Sequence, residues 1–194
     1  ASDVVLAITS SDTGEATVTS TLTFTNGNWD TPQSVTVTGA DDDIIDGNID
    51  SILTITVLDA LSDDDFDGVA DQTVTATTTD DDTAGFTIAE SSGSTGVAES
   101  GTTDTFTIVL NAQPASDVVL AITSSDTGEA TVNTPLTFTN ANWNTPQTVT
   151  VTGIDDDLID GTVASTITIS IVDADSDDDF DGVADQTVTA TTTD

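Results

Sequence analysis

The sequence predicts an all-β protein built from tandem β-sandwiches, and two observations carry that prediction. Segments such as 147–153, "QTVTVTG", alternate valine with threonine, so that one set of side chains faces a core and the other faces water. In addition, the chain repeats itself at an offset of 114 residues, from Ala1 to Ala115. That period suits one sandwich domain and is too long for a coil of a β-solenoid.

The repeat divides the chain. Each copy opens with "ASDVVLAITSSDTGEATV" and closes with "DGVADQTVTATTTD", and the copies align without a gap. We therefore predict an incomplete first repeat over residues 1–80, lacking its first two strands, and a complete second repeat over 81–194. Either upstream residues or a strand pair from a neighbouring, identical chain would complete the first repeat.

Strand signals in the second repeat are β-branched alternations bounded by Gly, Asp, Asn and Pro. They predict seven strands, at 84–90, 104–110, 117–123, 135–140, 147–153, 165–172 and 186–193. Seven strands in about 110 residues are typical of an immunoglobulin-like sandwich. Trp29 and Trp143 each precede "TPQ" in a predicted turn, where we expect a partly buried side chain that caps the sandwich; stacking on a sugar is the alternative.

Charge is the strongest functional signal. The chain has 36 Asp and Glu residues, no Lys, Arg or His, and a net charge of −36. No carboxylate can find a cationic side chain in its own chain, and carboxylates held together repel each other. The neutralising cation must come from outside, and Ca²⁺ is the leading candidate because it prefers several oxygen ligands.

The same composition excludes several functions. Without Lys and Arg the chain should bind neither nucleic acid nor an anionic membrane surface, and no apolar run approaches the ~20 residues of a membrane span. Cysteine is absent, so metal would replace disulfides as the staple. Without His, Lys or Cys, nucleophilic triads and Schiff bases are excluded, and we expect no enzyme activity.

Acidic residues cluster at predicted strand ends and form two kinds of candidate calcium site. The first is a loop with the pattern D-x-D-x-D-G-x-x-D, in which alternating acids can surround one cation and the glycine permits a sharp bend. Its residues are Asp63, Asp65, Asp67 and Asp71 in the first copy, and Asp177, Asp179, Asp181 and Asp185 in the second. The second kind is the run "DDDIIDG" or "DDDLIDG", together with the triplet 80–82. A solvated acidic loop is the alternative for both kinds.

The segments "VAESGTTDTFTIVLNAQPASDVVLAITSSDTGEATV" and "LTFTNANWNTPQTVTVTGIDDDLIDG", closing on "TTTDDD", resemble the Calx-beta family, which occurs in tandem in large bacterial calcium-dependent surface adhesins of the RTX type. The resemblance covers the whole 114-residue unit. It implies calcium at one end of the sandwich, held by Glu90, Asp155, Asp156, Asp157, Asp160 and Asp194. In the first repeat, it implies Asp41, Asp42, Asp43, Asp46, Asp80, Asp81 and Asp82. The nine-residue loop departs from this pattern and is more similar to thrombospondin type 3 calcium loops.

Three functions follow for comparison. The near-identical copies favour a structural extender, a filament of calcium-stiffened repeats on the cell surface or in a secreted adhesin, with neighbouring repeats as partners. The alternative is a calcium-dependent module that binds a carbohydrate or another ligand. A glycosidase that uses only carboxylates would need an acid pair with one raised pKa, and no pair is marked in the sequence.

Overall fold

The structure is a computed structural model that describes residues 2–194, and it divides into two compact units. The first unit extends to Asp42 and continues over Asp46–Asp81. The second unit contains Asp43–Ile45 and Asp82–Asp194. No helix among the described residues is long and apolar enough to span a membrane.

Six strands form the first unit: β1 (Val4–Ser10), β2 (Ala16–Val18), β3 (Thr21–Phe24), β4 (Val37–Gly39), β5 (Ile49–Val57) and β6 (Gln72–Thr78). One sheet has the order β3-β1-β5-β6, and the other pairs β2 with β4. Two short 3₁₀ helices, Asp59–Leu61 and Asp64–Phe66, lie in the connection between β5 and β6.

Nine strands form the second unit: β7 (Phe86–Glu90), β8 (Thr95–Ala98), β9 (Thr103–Leu110), β10 (Val118–Ser124), β11 (Ala130–Val132), β12 (Leu136–Phe138), β13 (Gln147–Gly153), β14 (Thr162–Ile171) and β15 (Gln186–Thr193). They make a five-stranded sheet, β12-β10-β14-β15-β8, and a four-stranded sheet, β11-β13-β9-β7. The 3₁₀ helices are Ser91–Gly93, Asp173–Asp175 and Asp178–Phe180.

The core of the second unit lies between these two sheets. Phe106 and Ile108 of β9 belong to the same buried cluster as Ile167 and Ile169 of β14 in the opposite sheet. Along β13, valines are buried and the intervening threonines are only partly so, as period-2 alternation requires. The all-β sandwich prediction is confirmed.

The strand count of the second unit exceeds the prediction by two. The additional strands are β8 and β11, which have four and three residues. Such short segments carry too few residues for alternation to show, and β8 also contains Gly96, which weakens a strand signal. Three strands, β7 to β9, have no counterpart in the first unit, where the sequence predicts a lack of two.

The two tryptophans differ although they occupy the same repeat position. The side chain of Trp143 is 9% exposed and packs in the core of the second unit, as predicted. The side chain of Trp29 is 70% exposed, so the prediction of partial burial is wrong there. In the second unit, β9 adjoins Trp143, because the Leu110 N–H at the end of β9 donates to the Trp143 carbonyl (3.1 Å). The first unit has no strand equivalent to β9 beside Trp29.

Gly153 permits β8 to approach the end of β13. A Cβ at this position would lie 2.2 Å from the backbone carbonyl oxygen of Ala98. At the equivalent Gly39, the nearest atom is the methyl carbon of Thr78, at 3.7 Å, which is an ordinary contact. At this repeat position, steric contact therefore requires glycine in the second unit but not in the first.

We predict that Gly153→Ala lowers the free energy of unfolding of the second unit by ~1–3 kcal/mol, because a backbone clash can be relieved only by moving a strand. Denaturation followed by Trp143 emission, in a Trp29→Phe background, measures this change. Gly39→Ala is the matched control and should leave the first unit unaffected. Equal stability of Gly153→Ala and the parent would contradict the assigned packing.

Candidate metal centre

Two acidic residues follow a pair of parallel strand ends. Strands β8 and β15 run parallel, with Ala98 opposite Thr193 in the last register pair. The next residues are Glu99 and Asp194, and the Glu99 N–H continues the ladder by donating to the Thr193 carbonyl at 3.0 Å. Because the parallel strands β8 and β15 end at the same edge of the sheet, the carboxylates that follow them are brought together there.

The opposite sheet supplies further acids at this end of the sandwich. Strands β11 and β13 are antiparallel, with Ala130 opposite Gly153. Glu129 directly precedes β11, and the acidic segment 155–160 follows β13. Because the two strands are antiparallel, both lie at the same end of this sheet. The Ile154 N–H donates to the Glu129 carbonyl at 2.9 Å, which joins the two segments.

A tight turn carries Asp160 back to the strand ends. The Gly161 N–H donates to an Asp194 carboxylate oxygen at 2.7 Å, and Gly161 has φ +82°, a conformation that glycine adopts readily. Glu99, Asp160 and Asp194 then each offer an oxygen, and these oxygens all lie within 4.8 Å of one another. This spacing suits ligands around a single cation.

Two buried carboxylate oxygens at this end lack a hydrogen-bond donor. Glu99 is 7% exposed and Glu129 is 6% exposed, and neither Glu99 Oε1 nor Glu129 Oε2 has a partner. A buried carboxylate without a partner is costly, so such atoms need an explanation. Ca²⁺ fits this donor set, because it takes six to eight oxygen ligands and accepts carboxylates.

The raised pKa values of Glu99 and Glu129 also favour a cation at this end of the sandwich. Burial raises the pKa of Glu99 to about 7, and the nearby carboxyl group of Asp194 adds to the shift. Burial also raises the pKa of Glu129, with the charge of Asp160 as the next contribution. Negative charge from Asp156 acts on both glutamates. Both glutamates are therefore harder to ionise here than in water when no cation is bound.

The first unit contains an acidic group of its own at an overlapping set of repeat positions. Oxygens of Glu15, Asp42 and Asp46 lie within 4.8 Å of one another. The Asp46 and Gly47 N–H groups donate to Asp80 at 3.1 and 2.8 Å, just as Gly161 donates to Asp194 in the second unit. Burial, followed by the charges of Asp46 and Asp42, raises the pKa of Glu15.

We define the repeat site as the combined positions of both groups at the 114-residue offset, of which the two groups share only Asp46 and its equivalent Asp160. Glu15, Asp42, Asp46 and Asp80 correspond to Glu129, Asp156, Asp160 and Asp194. The second unit adds Glu99, whose segment has no counterpart in the first unit. Of the predicted ligands, Asp42, Asp46, Asp80, Asp156, Asp160 and Asp194 thus lie at this repeat site.

Other predicted ligands lie outside these groups. Glu90, at the end of β7, accepts a hydrogen bond from the Thr95 hydroxyl at 2.8 Å. Four aspartates of the acidic runs have exposed side chains, and a fifth, in the segment after β6, is exposed too: Asp41, Asp43, Asp155, Asp157 and Asp81. Asp82 is partly buried in that same segment. Their role as ligands stays a prediction.

The nine-residue loop has a different local structure from the one that its pattern suggests. Asp177 is buried and caps the 3₁₀ helix Asp178–Phe180, accepting from the N–H groups of Ser116 (2.6 Å) and Asp179 (3.2 Å). Phe180 is fully buried and anchors the loop in the core. Asp63 makes the equivalent bonds to Ser2 and Asp65 in the first unit.

The role of this loop as a calcium site stays a prediction. Among the described residues, the groups of three acids whose oxygens lie within 4.8 Å of one another include none of Asp65, Asp67, Asp71, Asp179, Asp181 and Asp185. Desolvation opposes ionisation of Asp177, but the N–H donors outweigh it and lower the pKa of its carboxyl. A carboxylate committed to backbone donors has a structural role without any ion.

Sequence reasoning missed Glu15 and Glu129 and did not place Glu99 among the ligands. A usable signal was present, since the chain has only four glutamates among 36 acids and three of them lie at these sites. The "TGEATV" repeat, with glutamate directly before a strand, marks this position in both copies.

We predict that, in chelator, the second unit loses stability as pH rises from about 4.5 to above 7. The raised pKa of Glu99 means that the folded state holds a proton which the unfolded state releases, so stability is present below the unfolded pKa and lost through the folded one. Melting temperatures across this range measure the effect. Glu99→Gln should flatten the profile, and an unchanged profile in this variant would exclude Glu99 as the source.

We predict that Asp177→Ala destabilises the second unit by ~1–2 kcal/mol, through loss of the cap. The loss should be equal in calcium and in chelator at neutral pH. Since the pKa of Asp177 is lowered, its contribution should disappear as pH falls through the folded pKa. The exposed neighbour Asp178→Ala is the control. A loss seen in calcium alone would instead make the loop a metal site.

Comparison with known proteins gives distant matches. No protein-family model and no curated protein sequence match this chain. Domains 4 and 5 of the S-layer protein SbsC align over 97% of this chain and 70% of theirs, at 18% identity and a TM-score of 0.45. The apo-form CBD1 domain of Calx aligns over 56% of this chain and 98% of its own length, at 15% identity and a TM-score of 0.38.

The structure of CBD12 from CALX1.2 aligns over 87% of this chain and 68% of its own length, at 13% identity and a TM-score of 0.38. The chain spans only about a fifth of the longer SbsC structures, covering 20% of rSbsC(31-844). At these identities and TM-scores, the matches assign neither a family nor a site residue to the chain.

Proposed function

We propose that this chain is a calcium-binding structural repeat of an extracellular surface protein. The observation that carries the proposal is the pair of buried, unpartnered carboxylate oxygens on Glu99 and Glu129, at the end of the sandwich where Asp160 and Asp194 lie. No cationic side chain exists in the chain to neutralise them. A divalent cation with oxygen ligands meets the requirement.

The residues of the site come from separate elements, which gives a bound ion a mechanical effect. Glu99 follows β8, Glu129 precedes β11, and Asp194 follows β15, so the ligands belong to both sheets. Asp160 belongs to the connection that Asp194 already holds through Gly161. Calcium would supply positive charge and oxygen coordination, and these residues would tie the loop and both sheets together.

Electrostatics sets the direction of the effect. Two unit charges 4 Å apart interact by ~4 kcal/mol at the effective dielectric near a protein surface. Several such repulsions at one end of a domain are comparable with its whole stability of ~5–15 kcal/mol. An ion reverses their sign, so the metal-free end should loosen and the loaded end should stiffen.

Repetition favours a structural role over ligand recognition. Both copies keep the glutamate, the two loop aspartates and the terminal aspartate at matching positions, which suits units used in series. We propose a spacer or filament of such repeats, without enzyme activity and on the cell surface, as the similarity to Calx-beta repeats of adhesins implies. Neighbouring repeats would be its partners.

We predict that millimolar calcium raises the melting temperature of both units relative to chelator. A ligand at a hundredfold excess over its dissociation constant adds ~2.7 kcal/mol per site, which corresponds to ~10 °C or more for a domain of this size. Calorimetry in the two conditions measures the shift. Superimposable melting curves would contradict the proposal.

Matched variants locate the effect. Glu129→Gln should reduce the calcium-dependent shift of the second unit alone, and Glu15→Gln that of the first unit alone. Asp175→Asn is the control, since Asp175 is an exposed acid outside both groups. A calcium shift that survives both glutamine substitutions would place the responsible ions elsewhere.

A further inference from the structure

Three residues of the first acidic run, Asp43–Ile45, belong to the second unit, and we call them the strap. The residues directly before and after the strap belong to the first unit. The Gln113 N–H donates to the Asp43 carbonyl at 2.7 Å, and Ile44 forms a parallel β-bridge with Gln113. Main-chain pairing therefore attaches the strap to the second unit.

The strap also contributes a side chain to the interior of the second unit. Ile45 is partly buried and packs against the core cluster that contains Phe106 and Ile167. Removal of an apolar side chain from water stabilises a folded state in proportion to the area that is buried. The second unit therefore gains stability from a residue whose neighbours in sequence belong to the first unit.

The first unit holds both ends of the strap. Before the strap, the Ala40 N–H donates to the Glu15 carbonyl at 2.7 Å. After the strap, the Asp46 and Gly47 N–H groups donate to the Asp80 carboxylate. A segment that is already ordered at both ends loses less conformational entropy on docking than a flexible chain does. The folded first unit therefore lowers the entropic cost of docking the strap.

The second copy contains the same loop in an undocked form. Its equivalent of the strap is segment 157–159, in which Leu158 is exposed and Ile159 is 98% exposed. The hydrogen bonds that the Ile154 and Gly161 N–H groups donate also hold this loop at both ends. Anchoring of the loop therefore does not depend on burial of its isoleucine, and Ile159 is a matched control for Ile45.

We propose that the strap couples the two units energetically, so that folding of the first unit stabilises the second. While the first unit is folded, its loop keeps the strap ordered and docked. When the first unit unfolds, the strap becomes part of a flexible chain, the pairing of Asp43 with Gln113 is lost, and Ile45 leaves the core. These contacts use main-chain groups and an apolar side chain, so the coupling does not depend on the calcium proposal.

Hydrogen exchange of the complete chain tests the docked state. The Gln113 amide should exchange slowly in the parent, and Ile45→Ala should raise its exchange rate several-fold. The same variant should lower the melting temperature of the second unit by a few degrees, as measured by Trp143 emission in a Trp29→Phe background. Ile159→Ala removes the same side chain at the equivalent position and should change neither quantity.

A double-mutant cycle tests the coupling. Leu53 of β5 is 3% exposed, and Leu53→Asp should unfold the first unit because it places a charge in that interior. The second unit should then be as stable as in Ile45→Ala alone, and the two substitutions together should cause no further loss. Loss of hydrogen-exchange protection over β5 shows that the first unit is unfolded.

Three results would overturn the proposal. The first is fast exchange of the Gln113 amide in the folded parent, which would show that the strap is not docked. The second is an equal loss of stability in Ile45→Ala and Ile159→Ala, which would make the effect unspecific. The third is a second unit that keeps its parental stability while the first unit is unfolded, which would reduce the strap to a local contact.

Discussion

The structure depends on how carboxylates are accommodated in a chain that has no cationic side chain. Most of the 36 acids lie on the surface, where water solvates them. Some are satisfied by backbone N–H groups, as Asp177 and Asp63 are at the start of their 3₁₀ helices. The remaining buried oxygens, Glu99 Oε1 and Glu129 Oε2, are neither solvated nor hydrogen-bonded to an N–H group. This is the reason for proposing an external cation at this end of the sandwich.

The internal repeat makes the chain a comparison with itself. The helix caps at Asp63 and Asp177 and the turns at Gly47 and Gly161 recur at the 114-residue offset, so the local structure follows from local sequence in both units. Burial does not recur in the same way. Trp29 and Trp143 lie in similar local sequences, NGNWDTPQ and NANWNTPQ, but differ in exposure, because only the second unit contains β7 to β9.

The sequence patterns differed in how much of the structure each of them predicted. Alternation of apolar residues with threonine or serine predicts the long strands β13, β14 and β15 within a few residues, since each has seven or more residues over which a period can show. The pattern D-x-D-x-D-G predicts an acidic turn at Asp177 but not that the carboxylate is taken up by N–H groups. Glu15 and Glu129 were not predicted, because a single acid beside a strand shows no period, and only the recurrence of TGEATV in both copies marks them.

The sequence by itself determined that the protein is an all-β tandem repeat whose negative charge must be balanced from outside, since composition and periodicity need no coordinates. Only the tertiary structure decided which acids meet. Parallel pairing of β8 with β15 brings Glu99 to Asp194 across 95 residues of chain, and the end of β13 lies beside β8 because Gly153 lets the backbones approach. Such convergence results from strand register and close packing, and neither is written in the local spacing of the acids.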